Sequence, residues 1–257
     1  MSVGAIGGSY ASSYSPYSVI SGGGDIKSAA QDAAGLAIKE KTEALVKGLD
    51  QGKENLQDAK SALNIEDSAM EGIADYLKSI KELAIKSING TLSDEDKGYI
   101  QNQIDQYKQG INDIAGNTSF NEKKLLDGSN ADLKIAADGS GSTKTVSTYD
   151  NTVAALGIED FDVTGDSFDM SALDKAIETV QNNRTTVGSQ TNAMDYASSY
   201  NSKASLELNG FQMDQNEERS MQALQELKTK QALDIYQAQL QNKQQEDQER
   251  KAQLFLA

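Results

Sequence analysis

The chain of 257 residues contains no cysteine, no histidine, no tryptophan and a single proline, and its 39 Asp and Glu against 24 Lys and Arg give a formal charge of −15. Without thiol or imidazole it cannot build a structural zinc site, a disulfide, a cysteine nucleophile or a histidine base, and the acidic balance argues against binding nucleic acid through clustered cations. Hydrophobic residues make up 37%, which is thin for one large globular core.

No apolar stretch approaches the ~20 residues a helix needs to cross a bilayer. The first basic residue is Lys27, so no basic region opens a cleavable secretion signal. A cysteine-free chain fits a protein that leaves the cell without oxidative folding, and export is expected by a route that keeps the N-terminus.

Residues 1–24 are rich in Gly, Ser and Tyr, hold Pro16 and carry no charged side chain. Repeated Gly disfavours helix by about 1 kcal/mol per position, and a non-helical, disordered tail is expected, with a tail that orders on assembly through its tyrosines as the alternative. From Asp25 the composition changes. Asp25 or Ser28 is expected to cap a helix whose first turn holds Asp32. Its core positions alternate steps of four and three: Ile38, Thr42, Leu45, Leu49, Gly52, Leu56, Ala59, Leu63, Glu66, Met70, Ile73, Leu77, Ile80 and Ala84. A 3.5-residue period over more than six heptads without proline predicts one helix of about 60 residues, roughly 90 Å long.

Asn89 and Gly90 end that helix. Ser93 with Asp96 reads as a capping box for the next one, whose seam is Ile100, Ile104, Tyr107, Ile111 and Ile114. One narrow apolar stripe must pack along a partner, and the preceding helix is the available one. The helical period vanishes between residues 117 and 168. A β-hairpin is predicted over 132–149, turning at 138–142. The helical pattern returns after Ser171 with Leu173, Ile177, Val180, Arg184, Val187, Thr191, Met194 and Ser198. A break is expected at Asn209-Gly210, and a last helix from Glu217. On it Met221, Leu224, Leu227, Ala232, Ile235 and Ala238 share one side, and Leu233, Tyr236 and Leu240 widen the apolar arc. So wide an arc needs several neighbours, and assembly is their expected source. Residues 241–251 (QNKQQEDQERK) are wholly polar.

The most site-like stretch starts like a calcium loop: Asp160, Asp162, Thr164 and Gly165 fall at positions one, three, five and six. Ser171 stands where a bidentate Glu is required, so a solvated acidic loop is expected and no metal site. The remaining carboxylates fall mostly on outer helix faces and imply no catalytic cleft.

Three ordered motifs resemble the bacterial flagellin family: IKSAAQDAAGLAI at 26–38, KELAIKSINGTLSDEDK at 81–97 and NTSFNEKKLLDGS at 117–129. The similarity covers residues 25–210 well and 211–257 loosely. It implies a mainly α fold: an elongated rod of long antiparallel helices with a small β-hairpin region between its halves. The implied divisions are the tail 1–24, rod half 25–129, a short insert 130–170 in place of a variable outer domain, rod half 171–210, and an inner-core assembly helix 211–257. It further implies a secreted, non-enzymatic filament subunit for motility, without cofactor. Its partners would be copies of itself, an export chaperone and a filament cap. Because the usual basic N-terminal helix is replaced by the Gly/Ser/Tyr tail, an accessory protein that does not polymerise alone is the alternative. Family members recognised by the innate immune receptor typically carry Gln-Arg before Val-Arg-Glu-Leu. The matching stretch here holds Lys78, Ser79, Lys81, Glu82 and Leu83. Ser79 replaces an arginine that can make several charge-assisted bonds, which implies weakened recognition.

Overall fold

The computed structural model describes residues 15–29, 31–165 and 168–256. They group into two compact units, one of residues 47–204, the other formed by the two flanks of the chain. Three long helices carry most of the chain: α2 (Ala33–Ser87), α3 (Asp94–Asn117) and α4 (Met170–Leu256), preceded by the short α1 (Pro16–Ser21). Between α3 and α4 lie β1 (Ser119–Phe120), β2 (Lys123–Lys124), β3 (Leu133–Ala136) and β4 (Thr143–Val146).

In the 47–204 unit, the expected seam of α2 is buried without interruption from Gly52 to Ala84. Leu56, Leu63, Met70, Ile73, Leu77 and Ile80 are wholly inaccessible, and each such side chain contributes about 1.5–3 kcal/mol of burial. α3 runs back along α2. Tyr76 stacks on Tyr107 with ring centroids 5.5 Å apart and crosses Gly110, where an added Cβ would lie 2.9 Å from the ring. The capping box forms as expected: the Ser93 hydroxyl accepts from the Asp96 N–H, and Asp96 accepts from the Ser93 N–H. The Ser93 hydroxyl also donates to the Asp96 carboxylate at 2.7 Å, and this bond first, then that from the Ser93 N–H, holds the Asp96 carboxyl below its ordinary pKa.

α4 is antiparallel to α2, and three ion pairs fix its register: Lys81–Asp174 at 2.5 Å, Arg184–Asp67 at 2.8 Å and Lys60–Asp195 at 2.7 Å. All are partly exposed, so each adds at most about 1 kcal/mol. Arg184, read from the sequence as part of the stripe, reaches out instead to Asp67 and Glu71. The stripe runs on past Tyr200. It continues in polar form through the buried Asn201 and Ser205.

Two antiparallel hairpins build the connecting region. The expected one pairs Leu133 with Val146 and Ala136 with Thr143. The other, β1–β2, was not legible, because its turn residues Asn121 and Glu122 both take positive φ (47° and 65°) without a glycine to announce it. Five turns share one device: the carboxylates of Asp127, Asp138, Asp150, Asp162 and Asp169 accept from the N–H and hydroxyl of the Ser or Thr two residues on. The repeated Asp-x-Ser/Thr spacing carries that signal in the sequence. The carboxyls of Asp127, Asp138, Asp162 and Asp169 are held below the ordinary range by these bonds, the hydroxyl donor contributing most.

The region is bound tightly to the helices. The buried ammonium of Lys108 donates to the carbonyls of Glu159 (2.9 Å) and Phe161 (2.7 Å). Gln101 accepts from the Val163 N–H at 2.9 Å, and Asn112 from the Val153 N–H at 2.9 Å. At the tip of the larger hairpin, Gly48 and Gly52 open a trough on α2 that receives the backbone of residues 137–139. An added Cβ at Gly52 would overlap the Ala137 carbonyl, and one at Gly48 would sit 2.8 Å from Gly139 Cα. Asn55 donates to the Ala136 carbonyl at 3.1 Å and the buried Asn201 to the Ala137 carbonyl at 2.7 Å.

Three expectations are corrected. Residues 16–21 of the supposed non-helical tail form α1, since Pro16 presets φ at the first turn and the glycines cluster on either side; residues 1–14 lie outside the described residues. α2 begins at Ala33, not near Asp25 or Ser28. Its cap is Asp32, which accepts from the Gly35 N–H at 2.9 Å, while Gln31 occupies the N–H groups of Lys27 and Ser28. Finally, α4 passes through Asn209-Gly210 without a break. One glycine costs a helix only about 1 kcal/mol, and neither a proline nor a left-handed residue follows to stop it.

Candidate functional site

The unit made by the flanks is built differently. After α1, Gly23 and Gly24 take positive φ and return the chain. Gly24 lies directly against the backbone of Asn216 on α4, where an added Cβ would overlap the Asn216 carbonyl. Val19 and Ile26 are buried. The Lys39 ammonium binds Asp25 at 2.5 Å and lies 3.6 Å from Glu43, and these acidic neighbours, Asp25 first, raise its pKa. Gln212 donates to the Lys39 carbonyl at 3.4 Å. Two cavities of about 240 and 450 Å³ adjoin these contacts, the larger lined by Ile26, Asp32, Gly35, Arg219 and Gln222 among others. Neither holds a nucleophile next to a base.

Here the apolar pattern outruns what the described residues cover. Ile38 and Leu45, the first members of the α2 seam, are 56% and 48% exposed. Of the six α4 residues expected to form an assembly surface, Met221, Leu224, Ala232, Ile235 and Ala238 are exposed and Leu227 is half-buried. Leu233, Tyr236 and Leu240 are exposed beside them. Ala223, which the sequence did not single out, is the buried residue of this stretch. Scattered exposed apolar residues are ordinary; these follow one another along a single helix. Each aliphatic member would release about 1.5–3 kcal/mol on full burial.

The segment matched to the immune-receptor region lies on α2. Lys78 is paired with Asp75 at 2.9 Å, and the Ser79 hydroxyl donates to the Asp75 carbonyl one turn back. Lys81 is paired with Asp174. Glu82 is exposed and Leu83 half-buried.

In the calcium-like loop, Asp162 and Asp169 turn back on Thr164 and Ser171, while residue 166 is outside the described residues. Among the described residues no group of three or more acidic side chains is placed to hold a metal, and no helix is long and apolar enough to cross a membrane.

Comparison with known proteins follows the same lines. Residues 12–131 match the family model of the bacterial flagellin N-terminal helical region. A flagellin of Clostridium tyrobutyricum is 36% identical over 153 residues, covering 56% of this chain but 41% of its own length. A flagellin of Halalkalibacterium halodurans is 31% identical over 183 residues, covering 69% of this chain and 67% of its own. The chain thus spans less than half of the first relative and two thirds of the second. The crystal structure of Bacillus cereus flagellin superposes with a TM-score of 0.53 at 29% identity, over 58% of this chain and 88% of that one. The chain belongs to the bacterial flagellin family.

Proposed function

We propose that this chain is a structural subunit of a bacterial flagellar filament, exported from the cell and self-assembling through the exposed apolar face of α4, with no catalytic role. The observation that carries this reading is that face: Met221, Leu224 and Ile235, with Leu233, Tyr236 and Leu240, are exposed on one helix of a family member. Apolar surface of this extent is stabilised when like copies cover one another. Residues 130–170 add two short strands rather than a large outer domain, so the subunit is a small one. An export chaperone and a filament cap are its further partners by family. Its recognition by the innate immune receptor is weak, because Ser79 replaces an arginine and turns its hydroxyl onto its own helix, while Lys78 and Lys81 are already paired.

Purified chain, concentrated in a polymerising buffer and seeded with fragments of its own filaments or of a related flagellin's, is expected to give sedimentable filaments by negative-stain electron microscopy. A monomer at every concentration, with and without seeds, would overturn self-assembly and leave the accessory reading.

A further inference from the structure

The seam of α2 contains one member that is neither apolar nor small. Glu66 sits between Leu63 and Met70, with no exposed surface. Both of its carboxyl oxygens lack a hydrogen-bond partner, and so does the buried Nδ2 of Asn151. Three elements close around this region. From α2 itself comes Asp67, engaged by Arg184. The connecting region supplies Asp132, which accepts from the Thr148 N–H at 3.1 Å, and Tyr149, whose phenol is raised in pKa by burial first and by Glu66 and Asp132 after it. α4 contributes Asn183, whose Nδ2 donates to the side-chain Oδ1 of Asn151 at 3.0 Å, and Arg184, committed to Asp67 and Glu71. Lys124, one of the two cations of the small hairpin, is bonded to the Gly116 carbonyl. The charges that act on Glu66 are the carboxylates of Asp132 and Asp67, and the cations named here are engaged by other groups.

A carboxylate so placed has no partner and two acidic neighbours, whereas a neutral carboxyl group is tolerable. The surrounding segment is held on by specific bonds, among them those from Asn55 and Asn201 to the Ala136 and Ala137 carbonyls. Tyr149 and Asn151 donate their N–H groups to Leu125 and Leu126, and Gln190 on α4 brackets Ser147. We propose that Glu66 is a proton-dependent latch: in its neutral form it lets residues 132–151 close over α2 and α4, and its ionisation opens that segment. This property belongs to the 47–204 unit and does not depend on assembly.

The sign follows from linkage. Burial, then Asp132 and Asp67, raise Glu66 from an ordinary 4.5 to about 8. In the open segment the carboxyl is solvated and titrates at its ordinary value. Below about pH 4.5 both forms are neutral and the closed state is fully favoured. Between that pH and about 8 the open form releases its proton while the closed form holds it, so closure weakens; above about 8 the effect levels off. Each pH unit within this window multiplies the opening constant by up to about ten.

Hydrogen exchange on the full chain reads this directly, as protection factors corrected for intrinsic exchange. Between pH 6 and 9 the wild type is expected to lose at least about tenfold protection across residues 132–151. The Glu66→Gln and Glu66→Met variants are expected to stay level. Glu66→Met keeps the test alive if the glutamine fails to fold, since Met fits this seam at position 70. Glu82→Gln, an exposed change, is expected to behave as wild type. A level wild-type profile, or an equal loss in a folded Glu66 variant, would overturn the latch.

Discussion

Replacing Gly52 by alanine is expected to destabilise the 47–204 unit by about 2–4 kcal/mol. Within a helix the same substitution is normally favourable by roughly 0.5–1 kcal/mol. The sign reverses because the new Cβ would overlap the Ala137 carbonyl, which is backbone and cannot rotate away. Either α2 shifts or the hairpin tip lifts. Lifting it breaks the 2.7 Å bond that the buried Asn201 donates to that carbonyl and the 3.1 Å bond from Asn55 to Ala136. The matched control is Gly188→Ala on α4, where an added Cβ meets nothing within 4 Å; it is expected to stabilise by up to about 1 kcal/mol. Urea unfolding of both variants, followed by far-UV circular dichroism, should show changes of opposite sign. Equal signs would mean that the hairpin does not rest in the trough.

The second large effect concerns assembly without folding. Ile235→Asp alters a side chain that is 61% exposed in the single chain, so the melting of the 47–204 unit should not move. In a filament the same carboxylate would be placed in apolar contact at every subunit. Burying a charge there costs several kcal/mol, and about 3 kcal/mol already raises the critical concentration roughly a hundredfold. Sedimentation of seeded wild-type and variant protein measures it. Gln244→Asp, in the polar stretch, carries the same added charge and is expected to assemble normally.

Much of the fold could be read because it is governed by periodicity. The α2 seam from Gly52 to Ala84, the box at Ser93 and Asp96, the α3 stripe and the larger hairpin all follow from local pattern, and the helices need only one another to complete it. What stayed hidden depends on groups far apart in sequence. The Gly48 and Gly52 spacing announces that some backbone comes close, but not that residues 137–139 are that backbone. Lys108 looks like a charge intruding on a stripe; its two carbonyl acceptors lie 51 and 53 residues further on. Glu66 reads as a flaw in the seam until its burial is known. The expected break at Asn209-Gly210 failed for a different reason: a single glycine weakens a helix, and only a stop signal ends it.

For the assembly surface the sequence shows the apolar arc, and the structure adds that the described chain leaves most of it uncovered. The exposure of Ile38 and Leu45 was not legible in that way, because their period is the same as that of the buried seam. What distinguishes them is that none of the described residues covers this part of the helix.

The absence of native cysteine makes the central claim directly measurable. In an Ile235→Cys variant the introduced thiol is the only one in the chain, and its rate of reaction with a maleimide reports its accessibility. The reaction is expected to be fast in monomer and strongly slowed in sedimented, seeded filaments, while a thiol introduced by Gln244→Cys stays reactive in both. Filaments in which the Ile235→Cys thiol reacts as fast as in the monomer would contradict assembly through the apolar face of α4.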